Sequence, residues 1–345
     1  MSIRIIISLF CVIYLPLRGF GQACPACSNP AMQSSERLAA SLDTLHLGDF
    51  SMGINVTNGF NYEGGHPNAV GLSKEGNLVQ VPSHDHQVSL DYARIEVNLE
   101  YTFATNWTGW LRIPYDFKFQ DASINYRNPA DLEKSDLIIR NRDIHHRNES
   151  YRGPGDIRLL VSRRLNQFLS KNGRLDIAVG TSLPSGKTEN DPLAAGLMGQ
   201  PHLHIQFGTG TFDPLFELHY KTQLAPKWPV VMYSINKISI YTNHKGYRGP
   251  FETTAGLSLG HQLKPWLSIR GSVSNFTQTK SYWNGVADPN SGLFAVNSDV
   301  GVTIRKNKLF IAPSYRFPLH QRTLSSSGDT FKYGNTFLLN ISTSF

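Results

Sequence analysis

"ARIEVNLEYTFATNWTGWLRIPYDFKF", Ala93 to Phe119, alternates with a period of two on both sides of a short polar turn. In the first run Ile95, Val97, Leu99, Tyr101 and Phe103 take one side. Arg94, Glu96, Asn98, Glu100 and Thr102 take the other. In the second run Trp107, Leu111, Ile113, Tyr115, Phe117 and Phe119 oppose Arg112, Asp116 and Lys118. A two-residue period places successive side chains on opposite faces of a strand. Two such runs joined by a tight polar turn read as a β-hairpin.

The same alternation recurs at 155–165, 174–184, 202–212, 214–224, 230–243, 251–263, 265–278, 293–306 and 308–319, with an earlier strand at 47–60. The last run, "GNTFLLNISTSF" from Gly334 to Phe345, stops mid-strand on an aromatic residue. Short connections (104–106, 166–173, 225–229) alternate with long polar ones (62–87, 121–154, 185–201, 279–292, 321–333). That alternation is what antiparallel sequence neighbours produce. The count is 12 to 14 strands, because 202–224 reads as one bent strand or two. No helix-period core and no domain break interrupts 47–345, which is read as one domain.

Composition agrees with an all-β chain. Among 345 residues there are 19 Phe, 14 Tyr and 29 Gly, and only 17% are charged. A mean hydropathy of −0.27 excludes a bundle of membrane helices. The net charge of +7 is spread along the chain, so it reads as general surface polarity and gives no nucleic-acid partner.

The N-terminus is a separate object. Arg4, an apolar run from Ile5 to Leu17, and small residues at Gly19, Gly21 and Ala23 form the three-part pattern of an export signal. The run falls short of the ~20 residues a spanning helix needs. Residues 1–23 are therefore read as a removable signal peptide. Residues 24–46 are read as a periplasmic segment carrying "CPAC", and 47–345 as the barrel. Cys24 and Cys27 fit a disulfide or idle thiols, half of a metal clip whose further ligands would be His46 or His84 and His86 in "SHDH", or, ranked last, a redox pair or a lipidated Cys24. Histidines also pair at His145–His146 and His202–His204.

Two architectures bury one apolar face on so many strands: a soluble sandwich or barrel points it inward, a membrane barrel points it at lipid. The export signal, the ~10-residue segments and the charged mid-strand positions favour an antiparallel transmembrane β-barrel. Trp107, Trp110, Tyr115, Trp228, Tyr241 and Trp266 gather at strand ends as interfacial girdles do. Closure then requires the last strand to pair with the first, since an open edge in hydrocarbon strands unpaired backbone groups.

Three stretches, "RGPGDIRLLVSRRL" (Arg152–Leu165), "RLDIAVGTSLPSGK" (Arg174–Lys187) and "IQFGTGTFDPLFELHY" (Ile205–Tyr220), resemble outer-membrane barrels of the MetA-pathway of phenol degradation, transporter type. The resemblance covers about 153–220 and implies an outer-membrane barrel. A terminal Phe345 also resembles the assembly signal of bacterial outer-membrane barrels, which implies outer-membrane lipid and the barrel-assembly machinery as partners.

The functional expectation is a monomeric outer-membrane channel for a small solute, with no cofactor and no covalent chemistry. Arg94, Glu96, Glu100, Arg112, Asp116 and Lys118 are expected to line its lumen, and packed opposite charges would instead plug it. A metal-binding role through Cys24, Cys27, His84 and His86 is the alternative. A lipid-modifying enzyme using His86 and Ser89 ranks last, because their spacing places them on opposite faces of a strand. "GTGTFDP" lacks the Lys-Ser/Thr ending of a phosphate loop and reads as a sheet bend.

Overall fold

The computed structural model describes residues 45–202, 206–289, 291–324 and 330–345. Residues 1–23, read above as a signal peptide, and Cys24 and Cys27 lie outside the described residues. Twelve antiparallel strands form one sheet: β1 (Phe50–Leu72), β2 (Leu78–Ala104), β3 (Trp107–Tyr126), β4 in two pieces (Glu149–Pro154 and Ile157–Asn166), β5 (Arg174–Leu183) and β6 (Pro214–Ala225). They continue as β7 (Trp228–Lys237), β8 (Glu252–Lys264), β9 (Leu267–Gln278), β10 (Leu293–Lys306), β11 (Leu309–Thr323) and β12 (Thr330–Lys332 and Asn335–Ser344). Each strand pairs with its sequence neighbours, and β1 pairs with both β2 and β12, so the sheet closes into a barrel.

The closing seam runs from Ser51 opposite Ser344 to Phe60 opposite Asn335. Phe345 N donates to Phe50 O at 2.9 Å, and the two rings lie 5.8 Å apart.

The wall is inside-out relative to a soluble protein. Leu257, opposite Met232 on one neighbour and Val273 on the other, forms an outward row, each residue about half exposed. Ile95, Val161, Val179, Val300, Phe337 and Ile341 are likewise exposed, while Glu96, Arg112, Asp116, Arg164, Asp176 and Glu217 are buried. Apolar surface left in water costs ~25 cal/mol per Å². A wall with this sidedness is stable where hydrocarbon covers it. Tyr101, Phe103, Trp107, Trp228, Trp266 and Phe345 ring the short-turn end, all exposed. Trp110 does not belong to that ring: it points inward, 3% exposed, against Leu160, Ala178 and Leu215. Its even position in β3 shares the face of Arg112 rather than that of Trp107.

Two expectations about the long-loop end need correction. The stretch 62–87 is not a loop: β1 and β2 run on as a regular ladder to Leu72 opposite Leu78, with register shifts near Asn61 and Ala69. It rises beyond the neighbouring strands as a hood, and its polar outer face hides the alternation. Residues 206–213 form no strand but a loop, so β6 begins at Pro214. Between β3 and β4 lies α1 (Ser135–His145), which turns Ile138 and Asn141 onto the hood. A short α2 (Pro192–Leu197) is capped by Asp191 and lies between β5 and β6. Among the described residues no helix is long and apolar enough to cross a membrane.

The sidedness makes Leu257→Arg informative. On a water-exposed strand this change would alter stability by under ~0.5 kcal/mol. On a lipid-covered wall it costs about 2–4 kcal/mol. Urea titration of the mature chain folded into phosphatidylcholine vesicles measures the difference, and the larger loss is expected.

Candidate functional site

The inward stripe of β2 reads, from the long-loop end, His84, His86, Val88, Leu90, Tyr92, Arg94, Glu96, Asn98, Glu100 and Thr102. Alternation alone sorts these residues into three layers of the interior. The uppermost is imidazole. The second is apolar, where Tyr62, Leu90, Tyr92, Phe276 and Phe331 pack together, with the Tyr62 hydroxyl 3.3 Å from that of Tyr92 and 3.0 Å from Thr336 Oγ1. The third is ionic.

Opposite charges close in pairs across the ionic layer. Arg94 grips Asp116 through two bonds of 2.7 and 2.9 Å, and Arg112 grips Glu217 through two of 2.6 and 2.9 Å. His219 adds a 2.9 Å contact to the same Glu217 carboxylate. Arg158 bonds Glu96, Arg164 bonds Asp176, and Arg316 bonds Asp299. Lys237 reaches Glu252 at 2.9 Å, and Gln278 donates to the other oxygen of that carboxylate. Bidentate guanidinium–carboxylate pairs fix geometry as well as charge. The sequence placed Arg94, Glu96, Glu100, Arg112, Asp116 and Lys118 on one face of a hairpin. The structure puts all six inward, Glu100 and Arg94 half-buried and the others buried. Lys118, 1% exposed, lies 5.2 Å from the centre of the Phe207 ring.

Phe207 belongs to the loop that replaces the expected strand. The glycine motifs of the sequence converge there on one carboxylate. β4 breaks between Pro154 and Ile157 opposite Pro114, and Gly155 N donates to Pro114 O at 3.1 Å. This irregularity turns Asp156 into the barrel. Its Oδ1 accepts from Gly186 N at 2.9 Å, and its Oδ2 accepts from Thr209 N at 2.8 Å and Thr209 Oγ1 at 3.0 Å. A Cβ on Gly208 would sit 2.4 Å from Asp156 Oδ1 and 2.6 Å from Gly186 Cα, so only glycine allows the approach. Downstream, Asp213 N donates to Ser182 Oγ and Thr211 Oγ1 to Asp213 Oδ1, which ends the knot at the start of β6.

The knot hangs Gln206 and Phe207 over the ionic layer. The space left beneath them, lined by Arg94, Arg158, Glu217, Lys237 and Glu252 among others, is about 90 Å³. That is room for about three waters. Paired charges on the wall and the loop above them both occupy the interior at this level.

The histidines lie elsewhere, under the hood. His84 and His86 are fully buried, and Ser89 is exposed on the opposite face of β2. Burial holds the His86 imidazole well below its ordinary 6.5, with His66, His84 and Arg142 nearby acting the same way, so the ring is neutral at neutral pH. His66 and His146 join them, two positions that sequence spacing had not connected to the pair. His202 Nδ1 donates to Gln200 O and lies outside this group, and His204 is outside the described residues.

No protein-family model and no curated protein matches this chain. Among solved structures it is similar to an outer membrane channel from Pseudomonas putida F1, at 13% identity and a TM-score of 0.57, over 90% of this chain and 100% of that one. A deltaS2S3 mutant of the TodX monoaromatic hydrocarbon channel aligns at 11% identity and a TM-score of 0.44, over 89% and 93% of the two chains. The first likeness shows a shared barrel fold.

Glu217 is the test of the ionic layer. Glu217→Ala leaves Arg112 buried without its bidentate partner and is expected to cost about 3–5 kcal/mol, whereas the double change Arg112→Met with Glu217→Met recovers most of it. Guanidinium unfolding of both variants in detergent micelles reads the two values.

Proposed function

We propose that this protein is a channel of the bacterial outer membrane that admits a small polar solute and rests in a closed state. The observation that carries this reading is the interior of the closed wall: charges of both signs, held in pairs around a small polar chamber under a folded-in loop. An apolar cargo would strip these charges of water without replacing it. A small solute with its own donors and acceptors can exchange partners with Arg158, Lys237, Glu217 and Glu252 as it moves. The outward apolar band and the ring of aromatics at the short-turn end support the membrane location, and the export signal supports the compartment. With the short turns and the chain end facing the periplasm, Phe345 would be presented to the assembly machinery there.

Passage requires the knot to give way, and Asp156 is its central acceptor. Two backbone amides and one hydroxyl converge on that carboxylate, so its removal loosens 206–209 without touching the wall pairs and leaves the weaker set of bonds to Lys187 O and from Asn243 Nδ2. The wild-type barrel in a planar bilayer is expected to show low conductance with rare openings. Asp156→Ala is expected to raise the mean conductance several-fold and to speed the swelling of liposomes in small sugars or amino acids. Ion-tight barrels in both forms, together with unchanged uptake and efflux in cells lacking the protein, would overturn this function.

A further inference from the structure

The hood holds a feature that solute passage does not use. His66 on β1 stands directly opposite His86 on β2 in the ladder. His146, immediately after α1, reaches them from a separate insertion. One ring nitrogen from each of the three lies within 4.8 Å of the others. His66 Nε2 is 2.9 Å from His146 Nε2, and His84 Nε2 is 3.0 Å from His86 Nε2. The four side chains are at most 3% exposed.

The backbone settles which nitrogens carry protons. A carbonyl oxygen can only accept, so the contacts of His66 Nδ1 with Pro67 O (3.1 Å) and of His84 Nδ1 with Pro82 O (2.9 Å) are donated by the rings. In a neutral imidazole the other nitrogen then carries a lone pair. His66 therefore presents an Nε2 lone pair to its neighbours and accepts from His146 Nε2, which leaves the lone pair of His146 on Nδ1. His84 presents Nε2 to His86, which donates from its own Nε2 and keeps its lone pair on Nδ1. A carbonyl bond that fixes the tautomer and aims the ring is the usual support of a metal-binding histidine.

We propose that His66, His86 and His146 form a binding site for one borderline divalent transition metal of the zinc and cobalt class. The ion would tie the β3–β4 insertion to the β1–β2 hood. His84 acts as a positioning residue through His86. Metal–nitrogen distances of 2.0–2.1 Å in a tetrahedral site set nitrogens about 3.3 Å apart, within small side-chain movements of the present cluster. An all-imidazole donor set selects zinc, cobalt, nickel or copper over magnesium or calcium. Three protein ligands leave one position for water. The site shares only His86 with the one suggested by the sequence: His66 and His146 are new ligands, and His84 moves from ligand to support. It stands independently of whether the lumen conducts.

The test uses the tag-free mature chain with Cys24→Ser and Cys27→Ser, folded in detergent micelles and titrated with Co²⁺. One equivalent per barrel is expected, with visible bands of a nitrogen-ligated, four-coordinate ion that Zn²⁺ displaces. His146→Ala and His86→Ala, checked for folding by their heat-modifiable gel mobility, should lose the bands. His84→Ala should retain them and weaken binding by about 10–100-fold. Zn²⁺ should also slow tryptic cleavage within 127–147 in the parent barrel and not in the His146→Ala form. A folded parent barrel that takes up no Co²⁺, or a folded His146→Ala variant with an unchanged spectrum, overturns the site. If His146→Ala does not fold, the parent titration decides alone: less than one equivalent, or bands of a six-coordinate ion, overturns it.

Discussion

The whole molecule depends on the seam between β1 and β12. A sheet whose outer face is covered by hydrocarbon has no water to satisfy an open edge, and each unpaired backbone group there costs several kcal/mol. Pairing Ser51–Phe60 with Asn335–Ser344 removes both edges at once. That requirement accounts for the continuous antiparallel pairing all round the wall and for the ladder in which Phe345 lies against Phe50. It also forces the sidedness: once the wall closes with its apolar stripes outward, every Arg, Glu and Asp of the alternate stripe is delivered to a shared interior.

That interior then has to be made tolerable. Twelve strands enclose more volume than wall side chains can fill with apolar groups, and buried charges persist only when paired. The ionic layer answers by pairing directly opposite residues of adjacent strands, such as Arg316 with Asp299, and residues 105 positions apart, such as Arg112 with Glu217. The remaining space is filled from above by loops. The knot around Asp156 and the hood with α1 are two fillings joined by the 185–202 segment. One carries the glycine motifs and sits on the charged layer; the other carries the histidines and sits above the aromatic layer.

The two devices share the 185–202 segment: its Gly186 N donates to Asp156 Oδ1, and its His202 N donates to Ile144 O at 2.8 Å, two residues before His146. Release of Asp156 would loosen one end of that segment, and a metal held by His66, His86 and His146 would steady the insertion that the other end joins.

The alternation in Ala93–Phe119, repeated down the chain, was enough to determine the all-β class, the antiparallel order, the closure and the face on which Arg94, Glu96, Arg112, Asp116 and Lys118 lie, because strand sidedness is a local property of period two. It did not determine the hood, since β1 and β2 above the apolar band carry polar residues on the outer face and lose the pattern that announces a strand. Nor could it show that Gly155-Asp156, Ser185-Gly186 and Gly208-Thr209 meet at one carboxylate, or that His146 joins His66 and His86. Those contacts join residues 20 to 80 positions apart through loop paths that no periodicity encodes, and only the closed tertiary structure brings them together.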